Sequence, residues 1–181
     1  MTLTLITGAN KGLGYETARR LIGLGHTVLA GARDEQRGTE AARALGAAFI
    51  HIDPTDDGSV EAAAARVRSK YGHLDVLINN AGTAAPRVGA EELTADAAME
   101  GFAINVLGPI RVMHALMVQY ARALPGILVN AADPGFTGTD FNNHRGTQTV
   151  TEGTDAIVHL ATLPPNGPTG TFQDRHGPVP W

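Results

Sequence analysis

The 181-residue sequence contains no cysteine, which excludes disulfide frameworks, thiolate nucleophiles and thiolate metal sites together. Lysine occurs only as Lys11 and Lys70, and serine only as Ser59 and Ser69, so chemistry needing an ammonium or a primary alcohol has few candidates. An excess of one charge is lacking too: the net charge is −4, which points to neither a nucleic-acid surface nor a membrane-adhesive face. No apolar run approaches the length of a membrane span. The start, Met1 to Ile6, shows no basic region or cleavage site, so a soluble, cytoplasmic chain is expected.

What is present is the material of a folded α/β protein. Hydrophobic residues make up 43% of the chain and charged ones 18%, enough for one good core and too few residues for two comfortable domains. A single domain spanning residues 1–181 is expected. Short apolar runs alternate with longer helical patterns, the rhythm of βαβ units on a parallel sheet. The pattern predicts strands at Leu3–Thr7, Thr27–Ala30, Ala48–Ile52, Val76–Asn79, Ile127–Asn130 and near Thr171–Gln173. It predicts helices at Gly12–Leu24, Glu35–Leu45, Ser59–Tyr71, Ala97–Leu124 and Glu152–Leu163. Continuous apolar runs such as Val76-Leu77-Ile78 suit strands covered on both faces. The fold class implied is a Rossmann-type doubly wound parallel sheet of about six strands. From Pro164 to Trp181 the chain reads as loops around an edge strand.

The first strand runs into Thr7-Gly8-Ala9-Asn10-Lys11-Gly12-Leu13-Gly14, after which a helical pattern begins. Glycines there let the backbone turn tightly and approach a pyrophosphate, whose charge is met by N–H groups at the helix N-terminus. The second strand ends at Gly31-Ala32-Arg33-Asp34. An acidic tip would bond the ribose 2′-OH of NAD; Ala followed by Arg leaves room and positive charge for a 2′-phosphate. Arg33 and Lys11 together argue for NADP(H), against the plainer reading of Arg33 as a solvated charge.

The spacing of Gly8, Gly12 and Gly14 resembles that of the short-chain dehydrogenase/reductase family. The resemblance extends to Asp53 after the third strand, Asn79-Asn80-Ala81-Gly82 after the fourth, Asn105 in the next helix, and Pro134-Gly135-Phe136-Thr137-Gly138-Thr139. The pairing of Lys11 with Arg33 is similar to the NADP-preferring, carbonyl-reductase-like branch. What the resemblance implies is a cofactor site of Gly8, Asn10, Lys11, Gly12, Leu13, Gly14, Arg33, Asp53, Asn80, Ala81, Gly82, Pro134, Gly135, Phe136, Thr137 and Thr139. Asp53 would face the adenine, the Asn-Asn-Ala-Gly turn would support the sheet beside the cofactor, and the Pro-Gly segment would close over the nicotinamide. Asn105 would have a supporting role only.

The family's chemistry uses a Tyr as proton donor, a Lys four residues later that lowers its pKa, and a Ser that polarises the substrate oxygen. None of that set is present: neither lysine follows Tyr15, Tyr71 or Tyr120 at that spacing, and Arg19, four residues after Tyr15, cannot shuttle protons near neutral pH. By the resemblance, one central βα portion, roughly 60 residues by the size of such units, is missing near Leu116–Met117. The two helices flanking the gap would join into one from Ala97 to Leu124, interrupted or kinked at Gly108-Pro109. Ile127–Asn130 would then pair beside the fourth strand, closing the sheet. The family's dimer interface uses these helices, so self-association is left open.

Seven histidines show no i,i+4 pair or carboxylate pattern of a zinc site, so no metal is expected. Asp56 and Asp57 read as helix-capping residues. Asp133 and His144 are candidate substitute proton donors, against a plainer reading as turn and loop residues. Two functions follow. One is an oxidoreductase moving hydride between NADP(H) and a small-molecule carbonyl or alcohol. The other is a catalytically silent NADP(H)-binding protein or deletion product.

Overall fold

The computed structural model describes residues 1–84, 91–118 and 127–180. Four strands form a parallel sheet: β1 (Leu3–Thr7), β2 (Thr27–Ala32), β3 (Ala48–His51) and β4 (Val76–Ile78), in the order β3-β2-β1-β4. Helices α1 (Gly12–Gly23), α2 (Glu35–Leu45) and α3 (Asp57–Tyr71) connect them. This is the expected Rossmann-type α/β arrangement. Its N-terminal elements fall within a few residues of the sequence pattern.

The two-residue alternation along β1 builds both layers of the core. Leu3 and Leu5 face a cluster with Leu29, Ile50, Ile52, Val60 and Val67, against α3. Ile6 faces the other side, with Ala18, Leu21, Val28, Ala30 and Ala42, against α1 and α2. Buried aliphatic side chains of this kind contribute roughly 1.5–3 kcal/mol each over their exposed state. The helices are also well terminated. Asp34 accepts from the Arg37 N–H to start α2, Asp56 accepts from the Ser59 N–H to start α3, and Gly46 and Gly72 end them in the left-handed region. Of the two aspartates expected to cap α3, Asp56 is the cap, while Asp57 begins the helix and pairs with Arg111 at 2.6 Å.

After β4 the described chain is helical from α4 (Ala95–Phe102) through a π-helical turn (Ala103–Leu107), α5 (Gly108–Met113) and a second π-helical turn (His114–Val118). Gly108-Pro109 does not break this run. Proline lacks the N–H that would continue the ladder, and the wider turn just before it accommodates the missing bond. Val112 and Leu116 are buried in the α3-side cluster, so this helical run covers that face of the sheet. The remainder of the expected helix, residues 119–124, lies outside the described residues.

The C-terminal third departs from expectation. Residues 127–130 form no strand. Strand β5 (Ala131–Ala132) starts just after them and pairs with β6 (Phe172–Asp174), which pairs antiparallel with β7 (Gly177–Pro178). The expected closed sheet is therefore corrected: among the described residues there are two sheets, β3-β2-β1-β4 and β5-β6-β7, and β4 pairs only with β1. The cause is local. Asn130 accepts from the Thr171 N–H and hydroxyl and donates to the Pro168 carbonyl, while the Val129 N–H donates to the Thr169 hydroxyl. These bonds take residues 129–130 to the 168–171 loop instead of to β4. With one edge lacking a partner among the described residues, Val76-Leu77-Ile78 is only half-buried, although Leu77 packs on the α3-side cluster and Ile78 on the α1-side one, one on each face of the sheet.

The expected last helix is split at Thr154 into α6 (Val150–Gly153) and α7 (Asp155–Ala161). Arg20 on α1 holds both, donating to the Thr151 carbonyl, the Thr154 hydroxyl and Asp155, each at 2.8 Å. Arg175 adds Glu152 at 2.7 Å and Asp155 at 3.3 Å, tying the β6–β7 hairpin to the same corner. Among the described residues, no helix is long and apolar enough to cross a membrane.

Candidate functional site

The site lies where the parallel strands end, in the crevice between the β1–α1 loop and the segments that follow β4 and β5. Gly8 and Gly12 adopt φ of +67° and +56°, the left-handed region that only glycine enters without cost. Gly14 is glycine for space: a Cβ would run into the Asn80 amide and lie 2.5 Å from the Gly8 carbonyl oxygen.

Asn80 is what makes that loop compact. Its amide donates to the carbonyls of Thr7 at 2.9 Å and Gly8 at 3.2 Å, while the N–H groups of Asn80 and Ala81 donate to the Thr7 hydroxyl. The turn is held from its other side by Asn105, whose side chain accepts from the Thr83 N–H at 2.9 Å and donates to the Thr83 carbonyl at 2.8 Å. Asn105 occupies the first π-helical turn, and Gly82 faces its amide oxygen, which would lie 3.1 Å from a Cβ.

The Pro134–Thr139 segment lies over the glycine loop. Thr137 and Thr139 are buried, and the Thr139 methyl is 3.7 Å from where a Gly12 Cβ would stand. The segment is braced internally: the Thr137 hydroxyl donates to the Pro134 carbonyl at 2.6 Å, Gly135 turns with φ +62°, and the Asn142 amide donates to the Thr137 carbonyl at 2.8 Å. Phe136 is exposed on the crevice segment.

At the ends of β2 and β3, Arg33 is exposed, and its backbone carbonyl is 3.0 Å from the His51 ring. Burial raises the Asp53 pKa, but hydrogen bonds from the Thr55 N–H and hydroxyl, with Arg33 and His51 nearby, carry the net value below the ordinary carboxylate range. Asp53 is therefore ionised at neutral pH. An open cleft of about 400 Å³ beside the loop is lined by Asn10, Lys11, Tyr15, Arg37 and Asp140, among others. Arg37 is a cation the sequence reading missed. Its position three residues after Asp34, on the first turn of α2, was the available signal.

The structure thus gathers the glycine loop, the Asn80–Gly82 turn, Asn105 and the Pro134–Thr139 segment around one crevice. It does not gather a Ser, a Tyr and a Lys among the described residues. Lys70 and Tyr71 share the C-terminal end of α3, with the ammonium 5.2 Å from the ring centroid, at the end of the helix away from the crevice. Ser59 bonds the Asp53 N–H and Ser69 the Arg66 carbonyl, both structural contacts. Tyr120 lies outside the described residues. No group of three or more His, Asp or Glu side chains that could hold a metal occurs among the described residues. Asp133 accepts from the Gly135 N–H, a turn role, and His144 pairs with Asp140.

Comparison with known proteins agrees with this arrangement. The family model for short chain dehydrogenase matches residues 2–132. A (+)-neomenthol dehydrogenase of Arabidopsis thaliana is 38% identical over 107 residues, 54% of this chain and 36% of the relative, so the match spans about a third of that protein. A short-chain dehydrogenase/reductase 1 of Saponaria officinalis is 26% identical over 287 aligned positions, covering 98% of this chain and 95% of the relative. That alignment is longer than the chain itself, so it opens gaps in this sequence. Among solved structures, an NADPH-bound carbonyl reductase from chicken fatty liver superposes with a TM-score of 0.83 at 21% identity, covering 100% of both chains, which shows the shared fold. By sequence and by fold, the chain belongs to the short chain dehydrogenase family.

Proposed function

We propose that this chain binds NADP(H) in the crevice above the parallel sheet, and that its reaction is hydride transfer between that cofactor and a small-molecule carbonyl or alcohol. The observation that carries the binding is the uncapped start of α1. Helices α2, α3, α4 and α6 begin on side chains that accept a first-turn N–H, those of Asp34, Asp56, Thr94 and Thr149, while α5 and α7 run on from the helical residues before them. Helix α1 begins at Lys11 with no side-chain cap and no acidic residue in its first turn. Its N–H groups face a loop in which Gly8 and Gly12 leave the backbone bare, the chemistry that accepts a pyrophosphate.

The residues present fit the cofactor. Gly8, Asn10, Gly12, Leu13 and Gly14 would surround the pyrophosphate, Asp53 the adenine, and Asn80, Ala81 and Gly82 the middle of the crevice. Pro134, Gly135, Phe136, Thr137 and Thr139 would cover the nicotinamide end. Arg33 and Lys11, with Arg37 beside them, supply positive charge for a 2′-phosphate. When bound, the nicotinamide supplies or accepts the hydride. Asn105 acts as a positioning residue through Thr83, holding the turn against which the cofactor rests. A structural neighbour with bound NADPH supports the same reading.

A second reading, a silent NADP(H)-binding protein, rests on the lack of any assembled Ser, Tyr and Lys among the described residues. Fluorescence titration of the purified chain with NADPH and NADH tests binding, and a panel of carbonyl substrates tests turnover. Binding with turnover supports the oxidoreductase; binding without it supports the silent protein; no binding overturns both.

A further inference from the structure

Lys11, the ammonium proposed to meet a 2′-phosphate, already has an anionic partner. Its Nζ lies 3.1 Å from Asp140 Oδ2, across 129 residues of sequence. The other Asp140 oxygen is 3.0 Å from His144 Nε2. Asp140 opens the 3₁₀ turn Asp140–Asn142 directly after Thr139, and that turn is closed by reciprocal bonds between Thr139 and Asn142. The chain then folds back through Asn143 and His144 at φ of 54° and 57°, a left-handed pair that side-chain-bearing residues adopt at a cost. This return places the imidazole against the carboxylate. The Lys11 ammonium first, then the hydrogen bond from His144, hold the Asp140 carboxyl below the ordinary range. Across the cleft Arg37 is paired with Asp34 at 2.8 Å. The cleft's cations therefore meet carboxylates before any ligand arrives.

We propose that Asp140 is a specificity-determining residue that occupies Lys11 in the place of a phosphate, so that a 2′-phosphate has to displace it. The inference rests on the NADP(H) reading above. Two anions cannot share one exposed ammonium at contact distance without repelling each other. The carboxylate therefore lowers the affinity for a nucleotide carrying the 2′-phosphate and leaves one without it almost untouched.

The test is a set of dissociation constants for NADPH and NADH measured on the wild-type chain, D140N, K11M and the K11M/D140N double variant. Asp140 is 55% exposed on its side chain, and the turn it opens is closed by Thr139 and Asn142, so D140N keeps the fold. The expected result is NADPH binding about two- to fivefold tighter in D140N, the range of an exposed ion pair, with NADH changed less than about twofold on the same scale. The gain is absent in the K11M background and shrinks as salt is raised. Unchanged or weaker NADPH binding in D140N, an equal gain for NADH, or a gain that persists without Lys11 overturns the proposal alone, because nucleotide binding by the wild-type chain would still stand. A wild-type chain that binds neither nucleotide overturns the cofactor reading and the proposal with it.

Discussion

The side-chain amide of Asn105 forms two hydrogen bonds to the backbone of Thr83, at 2.9 and 2.8 Å, as a neighbouring strand would. It thereby fastens a helix to the turn that steadies the glycine loop. Asn105→Asp keeps the acceptor and turns the donor into an oxygen facing the Thr83 carbonyl. Stability in urea falls by about 1–2 kcal/mol, more than for Asn105→Ala, and NADPH binds more weakly in both variants. Equal stability of the aspartate and alanine variants would refute the two-bond account.

Gly14 and Gly23 lie at the two ends of one helix and differ in what surrounds them. A methyl at Gly14 meets the Asn80 amide and the Gly8 carbonyl, whereas nothing lies within 4 Å of one at Gly23. Gly14→Ala costs about 1–3 kcal/mol, the range for overpacking, and disrupts nucleotide binding. Gly23→Ala is neutral or stabilising by up to about 1 kcal/mol. Thermal unfolding of the two variants side by side checks the contrast.

At the tip of β2, charge reversal at Arg33 separates the two nucleotides. Arg33→Asp weakens NADPH at least about tenfold, of the order lost with one charge-assisted bond and the repulsion that replaces it. NADH changes much less. Equal losses for both in the titration would show that Arg33 does not face a 2′-phosphate.

Glu152 carries the strongest acid-range signature. The Arg175 guanidinium first, then the Thr149 N–H and hydroxyl, bring its pKa down from an ordinary 4.5 to about 2. A carboxyl depressed in the folded state contributes stability that is present above its unfolded pKa and lost as pH falls through the folded one. The corner joining α1, α6 and the β6–β7 hairpin therefore weakens between about pH 4.5 and 2. Arg175→Met removes that contribution at neutral pH, moves the acid-unfolding midpoint upward and flattens the loss of stability between about pH 4.5 and 2. A midpoint that does not move would remove Arg175 as the cause.

Local patterns carried the N-terminal half. The short apolar run Leu3–Thr7 and the Asp56 cap are rules acting over a few residues, and the glycine spacing implies a tight turn wherever the chain goes next. The crevice residues before and after Leu116–Met117 were legible as candidates because family spacing named them in order. Asn105 was legible as a position, but its bonds to Thr83 were not, since a helix interior and a turn 22 residues apart meet only in the folded chain. The strand expected at Ile127–Asn130 failed for a similar reason. Its apolar composition suits a strand, but Asn130 and Val129 spend their hydrogen-bonding groups on the 168–171 loop.

The sequence by itself determined the Rossmann-type class, the glycine loop and the set of cationic candidates Lys11 and Arg33, because each depends on neighbours close along the chain. Tertiary structure decided two things that no local rule reaches. Among the described residues it left β4 paired on one side only, with a separate β5-β6-β7 sheet, because strand pairing is settled by competing partners distant in sequence. It also placed Asp140 on Lys11, because an ion pair across 129 residues depends on where both ends of the fold converge.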